Sequence, residues 1–291
     1  MSPRAEVWLE AARLRTLPAA VAPVLVGTAA AGRFTAWRFA GALVVALALQ
    51  VAVNYANDYF DGVAGVDAAS RVGPRRVVAA GLVSPDAMRV GTVLALAVAA
   101  AAGIGLAAVA GWELLAVGAA CFAAALAYSG GPRPYASAGL GELFVFIFFG
   151  LVATAGSAYV QDEALSTLAL LAGVPIGLLA TAILVANNLR DIATDTDAGK
   201  RTLAVRLGDR RSRLLHAGLV LAPFPLVGFT LVPATASGWP VLVFAALPLA
   251  VAPLRPMLGG TTGLSLIPAL VGTARLELWF AVLLSAGLLL A

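Results

Sequence analysis

The sequence predicts an all-α, polytopic integral membrane bundle of about nine transmembrane helices, and three observations carry that expectation. Hydrophobic residues make up 61% of the chain and charged ones only 12%, with a mean hydropathy of +0.95. A soluble globule of 291 residues cannot hide that much apolar side chain from water. Apolar runs long enough to cross roughly 30 Å of hydrocarbon recur along the whole chain. The few cations gather in alternate loops between those runs, which is the mark of membrane insertion.

In order, the runs read as spans at Thr16–Ala31, Ala40–Tyr55, Ala87–Val109, Leu114–Tyr128, Leu140–Tyr159, Leu165–Leu189, Leu214–Val232, Val241–Leu254 and Leu276–Leu290. The first follows Arg13 and Arg15 and ends in small residues, as a secretory leader does. Arg33, Arg38 and another span come after it, so it reads as the first helix of the bundle. Prolines within spans (Pro175, Pro223, Pro225 and Pro248) are tolerable where neighbouring helices shield the freed backbone groups. The short apolar stretch from Gly263 to Gly272 contains Pro268, which suggests a half-helix or re-entrant piece before the ninth span. What remains is too short for a separate soluble domain, so residues 1–291 read as one unit.

With the N-terminus in the cytoplasm, seventeen of the nineteen Lys and Arg residues fall on that side, and only Arg33 and Arg38 on the other. The bias predicts an extracytoplasmic C-terminus in a multi-pass protein of the cell (inner) membrane. The pI near 9.7 therefore reflects loop charge, and nucleic acid is not an expected partner. The single cysteine, Cys121, lies in an apolar run, which excludes disulfides and suits buried packing. His216 stands alone, so no His/Cys constellation for zinc exists.

Chemistry enters with two acidic segments, NDYFDGVAGVD from Asn57 and NNLRDIATDTD from Asn187, which hold six of the nine aspartates. Carboxylates beside a bilayer are costly unless they serve a function. Helical spacing puts Asn54, Asp58 and Asp61 on one face at the end of the second span, with Asn57 beside them. The same spacing stacks Asn187, Asp191 and Asp195 at the end of the sixth, with Asn188 near that arc. Helix caps and solvated loop charge explain one or two such acids but not two matched clusters. Both clusters face the cytoplasmic side and can close around one ligand. Oxygen-rich faces of this kind suit Mg²⁺, which is usually shared between carboxylates and substrate phosphates, so a diphosphate is the natural ligand. Lys200 is the only lysine beside eighteen arginines, and it follows the second cluster directly. It is the leading candidate for a phosphate ligand.

The segments NDYFDGVAGVD with RVGPRR from Arg71 to Arg76, YSGGPRPYASAGLGELFVFIFFG from Tyr128 to Gly150, and NNLRDIATDTDAGKRTLAVRLG together resemble the UbiA superfamily of intramembrane aromatic prenyltransferases. Within it they are most similar to the branch that acts on 1,4-dihydroxy-2-naphthoate in menaquinone synthesis. The likeness extends from Arg13 to Pro268 and beyond. It implies a central cavity under a cytoplasmic cap, and transfer of a polyprenyl group from polyprenyl diphosphate to the naphthoate within membrane lipid. It further implies two Mg²⁺ ions held by Asn57, Asp61, Asp67, Asp191 and Asp195. Helical geometry makes Asp58 an equal candidate, and Asp197 a lesser one. Glu142 stands where related sequences often carry Asp, with its charge kept.

Catalytic roles then fall to Asp61, Asp191, Lys200 and Arg201, with Arg75 binding substrate beside Asn57 and Asn188. In an apolar cavity, faces of Tyr55, Tyr59, Phe60, Tyr128, Phe144 or Phe148 could stabilise an allylic cation, although each is equally suited to an interfacial belt. Arg133 and Arg15 are candidates for the acceptor carboxylate. Two alternatives stay open: another aromatic acceptor on the same scaffold, or a secondary transporter. Acids at helix ends rather than at the midplane argue against the transporter.

Overall fold

The computed structural model describes residues 3–63 and 76–291, and every regular element among them is helical. The helices are α1 (Pro3–Ala12), α2 (Pro18–Ala29), α3 (Ala36–Val63), α4 (Pro85–Ala110), α5 (Leu114–Ala127) and α6 (Gly141–Asp162). They continue as α7 (Thr167–Arg190), α8 (Ile192–Asp197), α9 (Leu203–Leu207), α10 (Asp209–Thr235), α11 (Trp239–Leu258) and α12 (Gly263–Leu289). Seven of these are long and apolar enough to cross a membrane, while α2 and α5 are apolar but only 12 and 14 residues long. Together they account for the nine apolar runs. The shortness of α2 is tolerable because most of its residues are buried against other helices, so protein rather than lipid meets its ends.

Helix starts follow from side-chain caps. Ser84 Oγ accepts from the Ala87 N–H at 3.2 Å ahead of Pro85, and Ser166 Oγ accepts from the Ala169 N–H at 3.2 Å. The stretch from Gly263 to Gly272 corrects the sequence expectation of a re-entrant piece. It is a 3₁₀ turn (Gly263–Leu266) leading straight into the last helix, with Pro268 in the first turn, where its missing N–H leaves no bond unmade. The ninth span therefore starts well before Leu276.

α7 is the most buried span and packs against α2, α6, α10 and α12. Glycine allows the α6–α7 approach: a Cβ on Gly150 would lie 2.5 Å from the Gly177 Cα. By contrast α4 presents Val90, Val93, Leu94 and Val98 outward, a surface suited to lipid tails. At one end of the bundle the α2–α3 connection is tied to α6, where Asp162 accepts from the Gly32 and Arg33 N–H groups at 2.8 and 3.0 Å and Glu163 pairs with Arg38 at 2.8 Å. At the other end the 128–140 segment meets the 198–206 segment. There Arg201 N–H donates to Ser137 O at 2.9 Å, and Arg206 Nη2 donates to Ala138 O at 2.7 Å. This second end caps an interior cavity and carries both acidic clusters.

Candidate active site

The last turns of α3 bury four polar side chains, Asn54, Asn57, Asp58 and Asp61, within a bundle that otherwise favours hydrocarbon. α7 ends likewise on buried Asn188, Arg190 and Asp191. The two helix ends converge on a small polar pocket of about 60 Å³. Of the residues expected from sequence, Asn57, Asp61, Tyr128, Asn188, Asp191, Asp195 and Lys200 all line it.

Cations hold the carboxylates in place. Asp61 Oδ2 pairs with Arg76 Nη2 at 2.6 Å and Asp61 Oδ1 with Lys200 Nζ at 3.3 Å, bringing together residues far apart in sequence. Asp191 takes a two-pronged bond from its neighbour Arg190, Nε to Oδ1 at 2.8 Å and Nη2 to Oδ2 at 2.6 Å. Short contacts of this geometry fix both side chains in one arrangement away from bulk water. Asn57 Oδ1 accepts from the Ser129 hydroxyl, and Asn188 Nδ2 donates to Glu142 Oε1 at 2.9 Å.

Several expected residues are placed elsewhere. Asp58 accepts from the Val77 and Val78 N–H groups at 3.3 and 2.9 Å and does not line the pocket, so its carboxylate anchors the chain returning toward α4. Arg201 is exposed and also stays out of the pocket, with its backbone engaged to Ser137 and Arg206. Arg15 and Arg133 are exposed on the surface and line no pocket wall. Asp67 and Arg75 lie outside the described residues. Arg13 and Arg190, which sequence reasoning left out of the site, line or flank it, and Arg76, singled out in sequence only as part of the RVGPRR run, lines it as well.

Next to the polar pocket lies a cavity of about 540 Å³ with an almost wholly apolar wall. Arg13, Asn57, Tyr128 and Asn187 line both spaces, so they mark the border between them. An aromatic run faces the cavity: Tyr135 stacks on Phe144 at 4.1 Å between centroids, Phe144 continues to Phe148 at 6.0 Å, and Tyr128 meets Tyr135 edge-on at 5.5 Å. Burial raises the Tyr135 phenol above its ordinary pKa, and its hydroxyl donates to Ala124 O at 2.9 Å. Tyr55 and Tyr59 pack instead with Trp8 in a separate cluster, and Phe60 stands against Tyr59.

A charged, oxygen-rich mouth above a dry aromatic chamber defines a membrane-embedded transferase that handles an anionic head and an apolar tail. The family model described as "UbiA prenyltransferase family" matches residues 20–259, and the chain belongs to that family. It is 46% identical over 284 residues, 97% of this chain and 96% of the relative, to a 1,4-dihydroxy-2-naphthoate octaprenyltransferase of Mycobacterium tuberculosis. Among solved structures, the apo UbiA homolog from Aeropyrum pernix K1 superposes with a TM-score of 0.68 at 18% identity, covering 100% of this chain and 99% of the other. A UbiA homolog from Archaeoglobus fulgidus bound to GPP and Mg²⁺ gives 0.62 at 16% identity over 96% and 99% of the two chains.

Proposed function

We propose that the protein transfers a polyprenyl group from polyprenyl diphosphate to 1,4-dihydroxy-2-naphthoate, releasing diphosphate and carbon dioxide. The observation that carries this reading is the junction of the Asp61/Asp191 pocket with the aromatic cavity. It gives an allylic diphosphate a polar place for its head and a dry place for its tail. The near full-length likeness to named naphthoate octaprenyltransferases supports the acceptor. Residues 1–291 act as one catalytic unit in the cell membrane, with the N-terminus and the site cytoplasmic and the C-terminus outside, a reading supported by the seventeen-to-two cation bias.

The donor set fits Mg²⁺. Every metal-binding group lining the pocket is a hard oxygen, from Asp61, Asp191, Asp195, Asn57, Asn187 and Asn188, and neither His nor Cys is among them. Among the described residues no group of three or more His, Cys, Asp or Glu could hold an ion unaided. That suits Mg²⁺, which keeps water and takes ligands from substrate phosphates. Two ions, one for each acidic cluster, would neutralise the departing diphosphate.

Asp61 and Asp191 would hold these ions, Arg190 braces Asp191, and Lys200 and Arg76, which line the pocket, can pair with diphosphate oxygens as negative charge develops. The allylic C–O bond breaks with its electron pair leaving on diphosphate. Tyr128, Phe144 and Phe148 present π faces to the resulting cation, each worth on the order of 1–2 kcal/mol when desolvated. The apolar wall keeps water from capturing it. The naphthoate ring then bonds through the carbon bearing the carboxylate. Loss of carbon dioxide returns the electron pair to the ring, and neither an oxidant nor a strong base is required.

The test is turnover in detergent with Mg²⁺, geranyl diphosphate and dihydroxynaphthoate. Diphosphate and carbon dioxide should appear in equal amounts with a prenylated naphthalenediol. Asp61→Asn and Asp191→Asn should each lower kcat by about 100-fold or more. Full turnover in both variants would remove the acidic clusters from the chemistry, and transfer without carbon dioxide release would remove the acceptor.

A further inference from the structure

An allylic carbon whose head occupies the polar pocket and whose tail occupies the cavity must lie at the border between them, so the ring that attacks it must dock there too. Among the described residues Arg13 is the only charged side chain lining the apolar cavity, and it belongs to that border. Its backbone is left-handed, φ 52° and ψ 59°, a conformation that costs a non-glycine residue of order 1 kcal/mol and that tends to persist where surrounding structure enforces it. α3 does the enforcing. Gln50 Nε2 donates to Thr16 Oγ1 at 3.0 Å, Thr16 Oγ1 donates to Arg13 O at 2.9 Å, and Asn54 Nδ2 donates to Ala12 O at 2.9 Å.

Gln50 itself is a second, independent sign of a ligand. It is 8% exposed and lines the cavity wall, and with its amide nitrogen committed to Thr16 its Oε1 is buried without a hydrogen-bond partner. A buried carbonyl oxygen left this way is destabilising, and a hydroxyl donor from a ligand relieves it.

Resting on the prenyl-transfer reading above, we propose that Arg13 and Gln50 form the acceptor subsite. The Arg13 guanidinium takes the carboxylate of an aromatic acid, and Gln50 Oε1 accepts from a ring hydroxyl. An acceptor held at both points presents its ring edge at the border where the allylic carbon sits. The exposed arginines, Arg15 and Arg133, are not needed for it.

Equilibrium binding to the purified full chain, measured without oxygen, tests the assignment. The probes are 1,4-dihydroxy-2-naphthoate, 1,4-naphthalenediol, which lacks the carboxylate, and geranyl diphosphate with Mg²⁺. Arg13→Gln should weaken the acid by about tenfold or more and leave the diol within about twofold, with Arg13→Lys in between. Gln50→Met should weaken acid and diol alike by about fivefold or more. Geranyl diphosphate affinity should hold in all three, and thermal unfolding of each variant identifies any that misfold. Equal loss for acid and diol on Arg13→Gln would overturn the carboxylate assignment. Loss of geranyl diphosphate alone would transfer Arg13 to the diphosphate. Should the wild-type chain prenylate a different aromatic acid and not dihydroxynaphthoate, the acceptor named above fails, and the same comparison with that acid and its decarboxylated analogue still decides the subsite.

Discussion

Asp58 and Asp61 are one helical turn apart on α3, yet the structure gives them different work. Asp58 accepts two backbone N–H groups, from Val77 and Val78, whereas Asp61 faces the polar pocket between Arg76 and Lys200. An asparagine at 58 keeps one acceptor and sets an NH₂ group against the other N–H. Asp58→Asn should therefore lower stability by about 1–3 kcal/mol while the folded protein still gains thermal stability from Mg²⁺ and geranyl diphosphate. Asp61→Asn should also lower the ligand-free midpoint, because it removes the charge that Asp61 sets against the buried Arg76 guanidinium, but it alone should abolish the ligand-induced rise. Thermal unfolding in detergent measures both, and swapped behaviour would make Asp58 the ligand. Spacing brought Asn57, Asp61, Asn188, Asp191 and Asp195 together because two helices end where their polar faces converge, whereas Lys200 stood out as the only lysine in the chain. It could not find Arg190, since consecutive helical residues point about 100° apart. α7 stops at Arg190, and Asp191 takes φ −94° and ψ 8°, so the guanidinium closes on its own neighbour. Arg76 follows a connection that has no period to read.

At the scale of elements, hydropathy located the nine apolar runs but not how they are wound. The expected span Leu140–Tyr159 contains a π-helical segment, Phe146–Val152, whose widened turn lies beside the cavity lined by Phe148, Phe149 and Val152. Hydropathy is blind to such a change because it leaves composition unaltered, and it is equally blind to which glycines touch. Gly150 in this segment meets Gly173 and Gly177 of α7, backbone against backbone. A Cβ on Gly177 would lie 2.9 Å from the Phe146 ring and 3.0 Å from both the Gly150 Cα and the Phe146 carbonyl oxygen. Rigid backbone on two of those three sides cannot yield, so Gly177→Ala should cost about 1–3 kcal/mol and disturb the π segment. Gly156, also on α6, has open space where its Cβ would go, and Gly156→Ala should be neutral or slightly stabilising. Comparing the two melting midpoints in one detergent checks the idea, and equal midpoints would mean the α6–α7 contact is looser than described.

Across the whole molecule the two ends of the bundle differ in charge more than in shape. The sequence assigns seventeen of the nineteen cations to connections on the side of the acidic clusters and leaves Arg33 and Arg38 for the other. α7, with 24 residues, separates the ends by about 36 Å, enough to span the hydrocarbon. Moving so many arginines across a bilayer during insertion is far costlier than moving two, which is the argument for the proposed cytoplasmic placement of the charged end. Ala164, just after α6, and Ala198, just after α8, are both exposed and lie at opposite ends. With Cys121 replaced by alanine, single cysteines at these positions report the orientation. A membrane-impermeant maleimide added to intact cells should label Ala164→Cys and spare Ala198→Cys, and permeabilised cells should show both. Labelling of Ala198→Cys in intact cells would place the catalytic mouth outside, out of reach of cytoplasmic substrate.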